Sequence, residues 1–375
     1  MITGVLPWLA QLVPSLGPLG SLSVRSAASA VVAFATVLLL GPRVLAWLKS
    51  RQVIEVQTNT DSAQLNEINR AKQPTPTMGG LMILGGVLAA VLICGDLGNP
   101  FVLMGVLSTI GYGLIGLTDD WVKLTRRDRR GLSPRAKFLL QFLVALSLAV
   151  VVTLVFKSRP EAEAKRLLAL HVPFTRWTLD LSWARGLPHV LMVLVVVSGA
   201  SNAVNLTDGM DGLASGTMVI AALAMAAICV VVGRAPALEL QQQLVYVRQS
   251  QEMTVFCTAM AGATLGFLWF NASPALVYMG DTGSLPLGSL LGYVAVVVKQ
   301  ELVLLIIGGV FVLEALSVIA QVSFFRATGG KRLLRCAPLH HHFQFGGVPD
   351  QRIVVRFWIL GVLLAGLGMA SLAVG

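Results

Sequence analysis

Charge is scarce in this sequence. Asp, Glu, Lys and Arg make up 12% of its 375 residues, where soluble domains carry about 25%. With 55% of residues hydrophobic and a mean hydropathy of +0.78, a water-soluble fold of this length is excluded, because it could not hide so much apolar surface. Cysteine is scarce as well. Cys94, Cys229, Cys257 and Cys336 follow no metal-ligand spacing, and three of them lie in apolar runs. That excludes a disulfide framework and leaves them as small apolar side chains. The first cation is Arg25, so the leading apolar stretch lacks the positive region of a cleaved leader. The net charge of +10 would suggest nucleic acid in a soluble protein. Here the cations sit in loops beside apolar runs, where they orient the chain and meet anionic lipid, so no nucleic-acid partner is expected and the lipid bilayer is.

What the chain has instead is apolar runs long enough to need a bilayer as solvent. Helices satisfy their own backbone hydrogen bonds there, so the expected class is all-α, a polytopic integral membrane protein of about ten transmembrane helices. The segments fall near 24–48, 78–95, 99–118, 135–156, 188–205, 212–233, 254–270, 284–298, 302–325 and 353–374. Cations crowd the loops after the first, third and ninth segments, for example Lys123, Arg135, Lys137, Lys331 and Arg332, and the loop from Gly95 to Asn99 has none. The positive-inside rule then turns the odd-numbered loops to the cytoplasm and leaves both termini on the extracytoplasmic side. Residues 157–187 fit this poorly, with Lys157, Arg159, Lys165, Arg166, Arg176 and Arg185 on the outer side. A small extracytoplasmic hairpin or helix would accommodate them.

Acidic residues are few, so their positions carry information. Asp119, Asp120, Asp208, Asp211 and Asp281 border apolar segments in three loops, all on the expected cytoplasmic side. One Asp at a span end is usually an interface residue or a cap, but five converging on one face point to a site. Asn202, Asn205, Asp208 and Asp211 recur every third residue, a polar stripe along one helix face, with Gly209 and Gly212 able to break the helix. Polar glue between helices needs less than this. Asp281 stands between Gly280 and Thr282 in the stretch from Asn271 to Ser284, which reads as an oxygen site for Mg²⁺, a cation that takes one or two carboxylates plus waters and phosphates. Tyr278 in the same stretch could stack on a planar base. His340, His341 and His342 are consecutive, so their side chains diverge and suit phosphate contacts better than one metal. Pro74 and Pro76 hold the approach to the second segment extended, which sets Lys72 at the membrane edge as a phosphate ligand or simply a positive-inside cation.

Taken together, Pro74–Gly80, Asp119–Asp120, Asn202–Leu213, Asn271–Ser284, Gly308–Val322 and Ala337–Phe343 resemble, in order, the phospho-N-acetylmuramoyl-pentapeptide transferase family of the polyprenyl-phosphate sugar-phosphate transferases. The likeness runs from about Lys72 to the last segment. The Pro-Leu-His-His-His run favours this branch over sister enzymes that use UDP-N-acetylglucosamine or another UDP-amino sugar. Two positions depart from the family pattern: Gln344 stands where Glu is usual, and Tyr278 where Phe is usual. A transporter is the alternative from another class, but its polar residues would gather at the bilayer midplane rather than at one set of span ends.

The resemblance implies that UDP-N-acetylmuramoyl-pentapeptide donates its phospho-sugar to undecaprenyl phosphate, giving lipid I and UMP with Mg²⁺, in the bacterial inner membrane with the active site facing the cytoplasm. It implies a single transferase domain over 1–375 with its site on loops 49–77, 119–137, 202–212, 271–284 and 326–352. The expected catalytic residues are Asp119, Asp120, Asp281, His340, His341 and His342, with Asp281 on the metal. The expected substrate ligands are Lys72, Lys137, Asn202, Asn205, Asp208, Asp211, Asn271, Tyr278, Gly280 and Gln321. A second copy of the chain, in a homodimer, is allowed as a partner. Asp119 is the implied base for the lipid phosphate, yet a phosphate monoester loses its second proton near pH ~6 and an ordinary Asp, near ~3.9, is a weak base for the remainder. A covalent route through an aspartate nucleophile stands beside direct displacement.

Overall fold

The computed structural model describes residues 20–51, 53, 75–125, 131–233 and 245–372. Every apolar segment becomes helical. In chain order the helices are α1 (Leu22–Ser50), α2 (Gly80–Cys94), α3 (Pro100–Thr125), α4 (Pro134–Lys157), α5 (Glu161–Leu167), α6 (Trp183–Thr207), α7 (Leu213–Val232), α8 (Met253–Asn271), α9 (Asp281–Val297), α10 (Glu301–Ile307), α11 (Gly309–Ala327), α12 (Leu339–Gln344) and α13 (Asp350–Ala370). Two start signals are explicit. Ser21 accepts the Val24 N–H and Ser133 accepts the Ala136 N–H, the latter with Pro134 opening the helix, as N-cap chemistry requires.

Among the described residues, eight helices are long and apolar enough to cross a membrane, so the protein is an all-α polytopic membrane protein. The other two of the ten segments form shorter helices, α2 with 15 residues and α9 with 17, about 22 and 26 Å at 1.5 Å per residue. All 17 residues of α9 are buried, which explains its unbroken apolar character: it has protein on every side, packed between α3 and α6. The ninth segment is not one helix. It breaks at Gly308, between α10 and α11. The regular part of α6 follows a left-handed turn at Ala184, Arg185 and Gly186, so it begins at the segment boundary read from the sequence.

The polar stretch 157–187 folds as both forms allowed for it, the short helix α5 and a two-stranded antiparallel hairpin, β1 (Ala169–His171) with β2 (Thr178–Asp180), paired Leu170 to Leu179. The four cysteines are free. Three are buried in the bundle, and burial pushes the Cys336 thiol above its ordinary value.

Two contacts fix the end of the bundle that matters for chemistry. Gly116 of α3 lies against the Asp281 carbonyl and Gly80 of α2 against the backbone of Gly283, and a Cβ at either position would overlap that backbone. The start of α9 is thus wedged between α2 and α3. The 271–284 loop is tied in beside it, since the Tyr278 N–H donates to Pro76 O at 2.8 Å and the Gly79 N–H donates to Tyr278 O at 2.9 Å.

Candidate active site

Adjacent residues on a helix point about 100° apart, and Asp119 and Asp120, near the end of α3, accordingly do different things. Asp119 Oδ1 accepts the Leu132 N–H at 2.8 Å, and its Oδ2 lies 2.8 Å from Lys123 Nζ and 3.7 Å from Lys137 Nζ. Asp120 turns to α9: Oδ2 accepts the Thr282 N–H at 2.9 Å and the Thr282 hydroxyl at 2.6 Å, while Oδ1 accepts the Asp281 N–H at 3.3 Å. A carboxylate there satisfies amides that a helix start leaves unpaired and meets the positive end of the helix dipole.

Asp281 opens α9 and is the centre of the cluster. Its Oδ1 accepts from Asn205 Nδ2 at 2.6 Å, and Asn205 also donates to Ser284 Oγ at 2.8 Å. Its Oδ2 lies 3.3 Å from Lys123 Nζ and pairs closely with Lys137. Carboxylate oxygens of Asp119, Asp120 and Asp281, all buried, come within 4.8 Å of one another. Three carboxylates stand against two ammonium groups, and every carboxylate atom facing the cluster is a hard oxygen. These residues fit a hard divalent cation.

Beside the cluster is a polar cavity of ≈ 140 Å³ lined by Asp120, Lys123, Asn205, Asp208, Gly209, Met210, Asp211, Asn271, Tyr278, Gly280 and Asp281. A water takes about 30 Å³ of liquid volume, so this is space for phosphate groups and water rather than for a large substrate whole. Two of its residues also build it. Asp211 Oδ2 accepts the Ala275 N–H at 3.1 Å. Asn271 Oδ1 accepts the Gly212 N–H at 3.0 Å and the Ser215 hydroxyl at 2.8 Å, while its Nδ2 donates to Val277 O at 2.9 Å. Gly280, at φ 70°, approaches Asp120 so closely that a Cβ would meet Oδ2 at 2.7 Å.

Other residues expected at the site lie around it or elsewhere. Lys137 is in the ion cluster itself. Asn202, on the same stripe as Asn205, donates to Gln141 Oε1 at 2.9 Å and to Ser198 O at 2.8 Å, so it bonds α6 to α4 instead of lining the cavity. Gln321 Oε1 accepts the N–H groups of Leu333 and Leu334 at 3.1 and 2.8 Å and shapes the loop before α12. The histidines diverge. His340 is buried beside Gly209, His341 Nδ1 meets Gln344 Oε1 at 2.9 Å, and His342 Nδ1 accepts the Arg335 N–H at 3.1 Å. Gln344 also donates to Asp350 Oδ1 at 2.8 Å, a link between α12 and α13 that an ionised Glu could not donate. Lys72 lies outside the described residues.

The profile of glycosyl transferase family 4 matches residues 102–299, from α3 through α9. Curated relatives extend the match over almost the whole chain. A phospho-N-acetylmuramoyl-pentapeptide-transferase of Maridesulfovibrio salexigens is 42% identical, over 97% of this chain and 98% of its own length. Proteins of the same name from Nitratidesulfovibrio vulgaris and Phenylobacterium zucineum are 44% and 41% identical, covering 93% and 96% of this chain and 92% and 95% of theirs. The chain belongs to the phospho-N-acetylmuramoyl-pentapeptide-transferase family.

In this member of the family the sequence reading missed one central residue. Lys123 contacts all three clustered aspartates, yet it was legible only as a loop cation. The signal was there: Lys123 follows Asp119 by four and Asp120 by three residues, on a shared helix face. Leu132 and Thr282 serve the carboxylates through backbone N–H groups that every sequence offers, so no motif marks them, and the hydroxyls of Thr282 and Ser284 find Asp120 and Asn205 only in the fold.

Proposed function

We propose that the chain transfers phospho-N-acetylmuramoyl-pentapeptide from UDP-N-acetylmuramoyl-pentapeptide to undecaprenyl phosphate, giving lipid I and UMP in the first membrane step of peptidoglycan synthesis. The observation that carries this reading is that consecutive residues of α6 line two unlike spaces. Val204 lines an apolar groove of ≈ 510 Å³ between α6, α10 and α11, and the next residue, Asn205, lines the carboxylate cavity. A polyprenyl phosphate has that same division, an apolar chain joined to an anionic head. Tyr278, on the cavity wall, offers a ring to the uracil.

The reaction brings together two anions, so neutralisation and orientation are its main demands. A phosphate oxygen of the lipid attacks the sugar-bearing phosphorus, the bond from that phosphorus to the UMP oxygen breaks, and UMP leaves with the electron pair. Lys123 and Lys137 supply fixed positive charge where the phosphates meet. Asp281 and Asp119 would hold Mg²⁺, which when bound adds charge neutralisation for the donor diphosphate. Asp120 keeps the start of α9 in register, and Asn205 fixes the Asp281 carboxylate. Asp208, Asp211 and Asn271 form the donor wall, and Lys72 joins the phosphates by family likeness. The carboxylate end is read as cytoplasmic, in the inner membrane of a bacterium with both termini outside, because Arg326, Lys331, Arg332 and Arg335 crowd the loop after α11.

Purified protein with Mg²⁺ and undecaprenyl phosphate is expected to release UMP from UDP-N-acetylmuramoyl-pentapeptide and not from UDP-N-acetylglucosamine. The reverse preference would reassign the chain to the sister transferases, and no release from either would overturn the reading.

A further inference from the structure

Glu314 is fully buried inside α11, a costly position for an ionisable group unless something on the protein answers it. Its carboxylate meets one residue twice. The His340 backbone N–H points at Oε1 and Oε2, at 3.2 and 3.4 Å, and the His340 ring nitrogen Nδ1 lies 3.1 Å from Oε2. The ring contact is close but off the line of an aligned hydrogen bond, since Nδ1 and Nε2 both lack a hydrogen-bond partner among the described residues. The other edge of the ring, Nε2, faces Gly209, where a Cβ would overlap it. Gly209 lines the polar cavity between Asp208 and Met210. A continuous line of contact therefore runs from Glu314 through the imidazole to the cavity wall.

We infer that Glu314 is a positioning residue of the transferase site, setting the His340 ring against the Asp208–Gly209–Met210 turn so that this turn presents its groups to the anionic nucleotide-sugar donor. A buried carboxylate 3.1 Å from the ring nitrogen, bonded to the same residue's backbone N–H, holds the imidazole by contact and charge in the orientation that sets Nε2 against Gly209. The inference rests on the transferase reading above. Glu314 also caps the backbone at His340, a purely structural contribution, and the two contributions are separable because any residue at 340 except proline keeps the backbone N–H.

The test is a double-mutant cycle of Glu314→Gln and His340→Asn, reading UMP release and thermal unfolding on the same purified samples. Glu314→Gln is expected to lower kcat/KM for the UDP-linked donor by about 10- to 100-fold, by analogy with the loss of a partner behind a metal-ligating histidine, with KM for polyprenyl phosphate unchanged. In the His340→Asn background the same substitution is expected to cost no further kcat/KM, while still lowering the unfolding midpoint. Additive losses of kcat/KM in an enzyme whose wild type releases UMP would overturn the inference and leave the transferase reading intact. A wild type that releases no UMP would overturn both.

Discussion

Two adjacent aspartates, both expected to be catalytic, share one cluster, but the helix gives them different partners. Asp119 faces the two lysines, whereas Asp120 spends its carboxylate on the start of α9. The lipid phosphate is already mostly a dianion at pH 7, so the need for a base is small and the need for held positive charge is large. Asp119→Asn keeps an oxygen for the Leu132 N–H but loses the attraction to Lys123 and Lys137. It is expected to lower kcat for UMP release by about 10- to 100-fold, a rise of ~1.4–2.7 kcal/mol in the barrier, without changing the shape of the rate profile between pH 6 and 9. Loss of an acidic limb from that profile would assign Asp119 to proton transfer after all. Tyr278 gives a second residue-level expectation. Base stacking on an aromatic ring is worth about 1–3 kcal/mol, so Tyr278→Ala should weaken donor binding by about 5- to 150-fold in titration calorimetry, and Tyr278→Phe should leave it near wild type. Equal losses in both would mean that the hydroxyl, not the ring, is used. These roles were half-visible in the sequence: residue types and spacing marked the carboxylates and the aromatic, but the partners that divide their work come from other helices.

At the scale of elements, hydropathy located every span because each had to be apolar, and it failed where tertiary contact decides. The break at Gly308 and the split stripe of Asn202 and Asn205 are examples. Both asparagines lie on one helix, yet one finds Gln141 and the other finds Asp281. The element on which chemistry depends most is the start of α9, which places Asp281. It is held sterically by Gly80 and Gly116 and electrostatically by Asp120. Gly116→Ala would push a methyl into the Asp281 carbonyl, and backbone cannot yield as a flexible side chain can. Loss of most UMP release is expected, together with a lowered unfolding midpoint, because overpacking of this kind costs about 1–3 kcal/mol or more. Asp120→Ala removes the acceptor for buried N–H and hydroxyl donors of Thr282, at about 1–3 kcal/mol for each donor left unsatisfied. Asp120→Asn, which retains one oxygen, should recover part of the stability. If Asp120→Asn and Asp120→Ala were equally stable and equally inactive, Asp120 would be acting on substrate instead of on α9.

For the molecule as a whole, the informative charge is the first one. Arg25 was legible only as the cation that arrives too late for a leader, because its partner stands 227 residues away. Its guanidinium forks onto Glu252 at 2.8 and 2.5 Å and reaches the carbonyls of Gly20 and Cys94 at 3.1 and 3.0 Å. It thereby ties the start of α1, the end of α2 and the approach to α8 at the end of the bundle opposite the aspartates. The 19 residues of α8 span about 28 Å between the two, and the bidentate geometry is the favourable one for a buried pair. Breaking a buried pair from one side costs about 3–5 kcal/mol, because the remaining charge is stranded, whereas replacing both partners with apolar residues is often neutral. Arg25→Met alone should therefore lower the unfolding midpoint sharply, and Arg25→Met with Glu252→Met should restore most of it. Both variants should keep the wild-type kcat per folded molecule, since neither touches the carboxylate cavity. A double variant that regained stability yet lost kcat would mean that the far end of the bundle is coupled to the site. In that case the pair's contribution would be to the position of α2, whose other end meets α9 through Gly80.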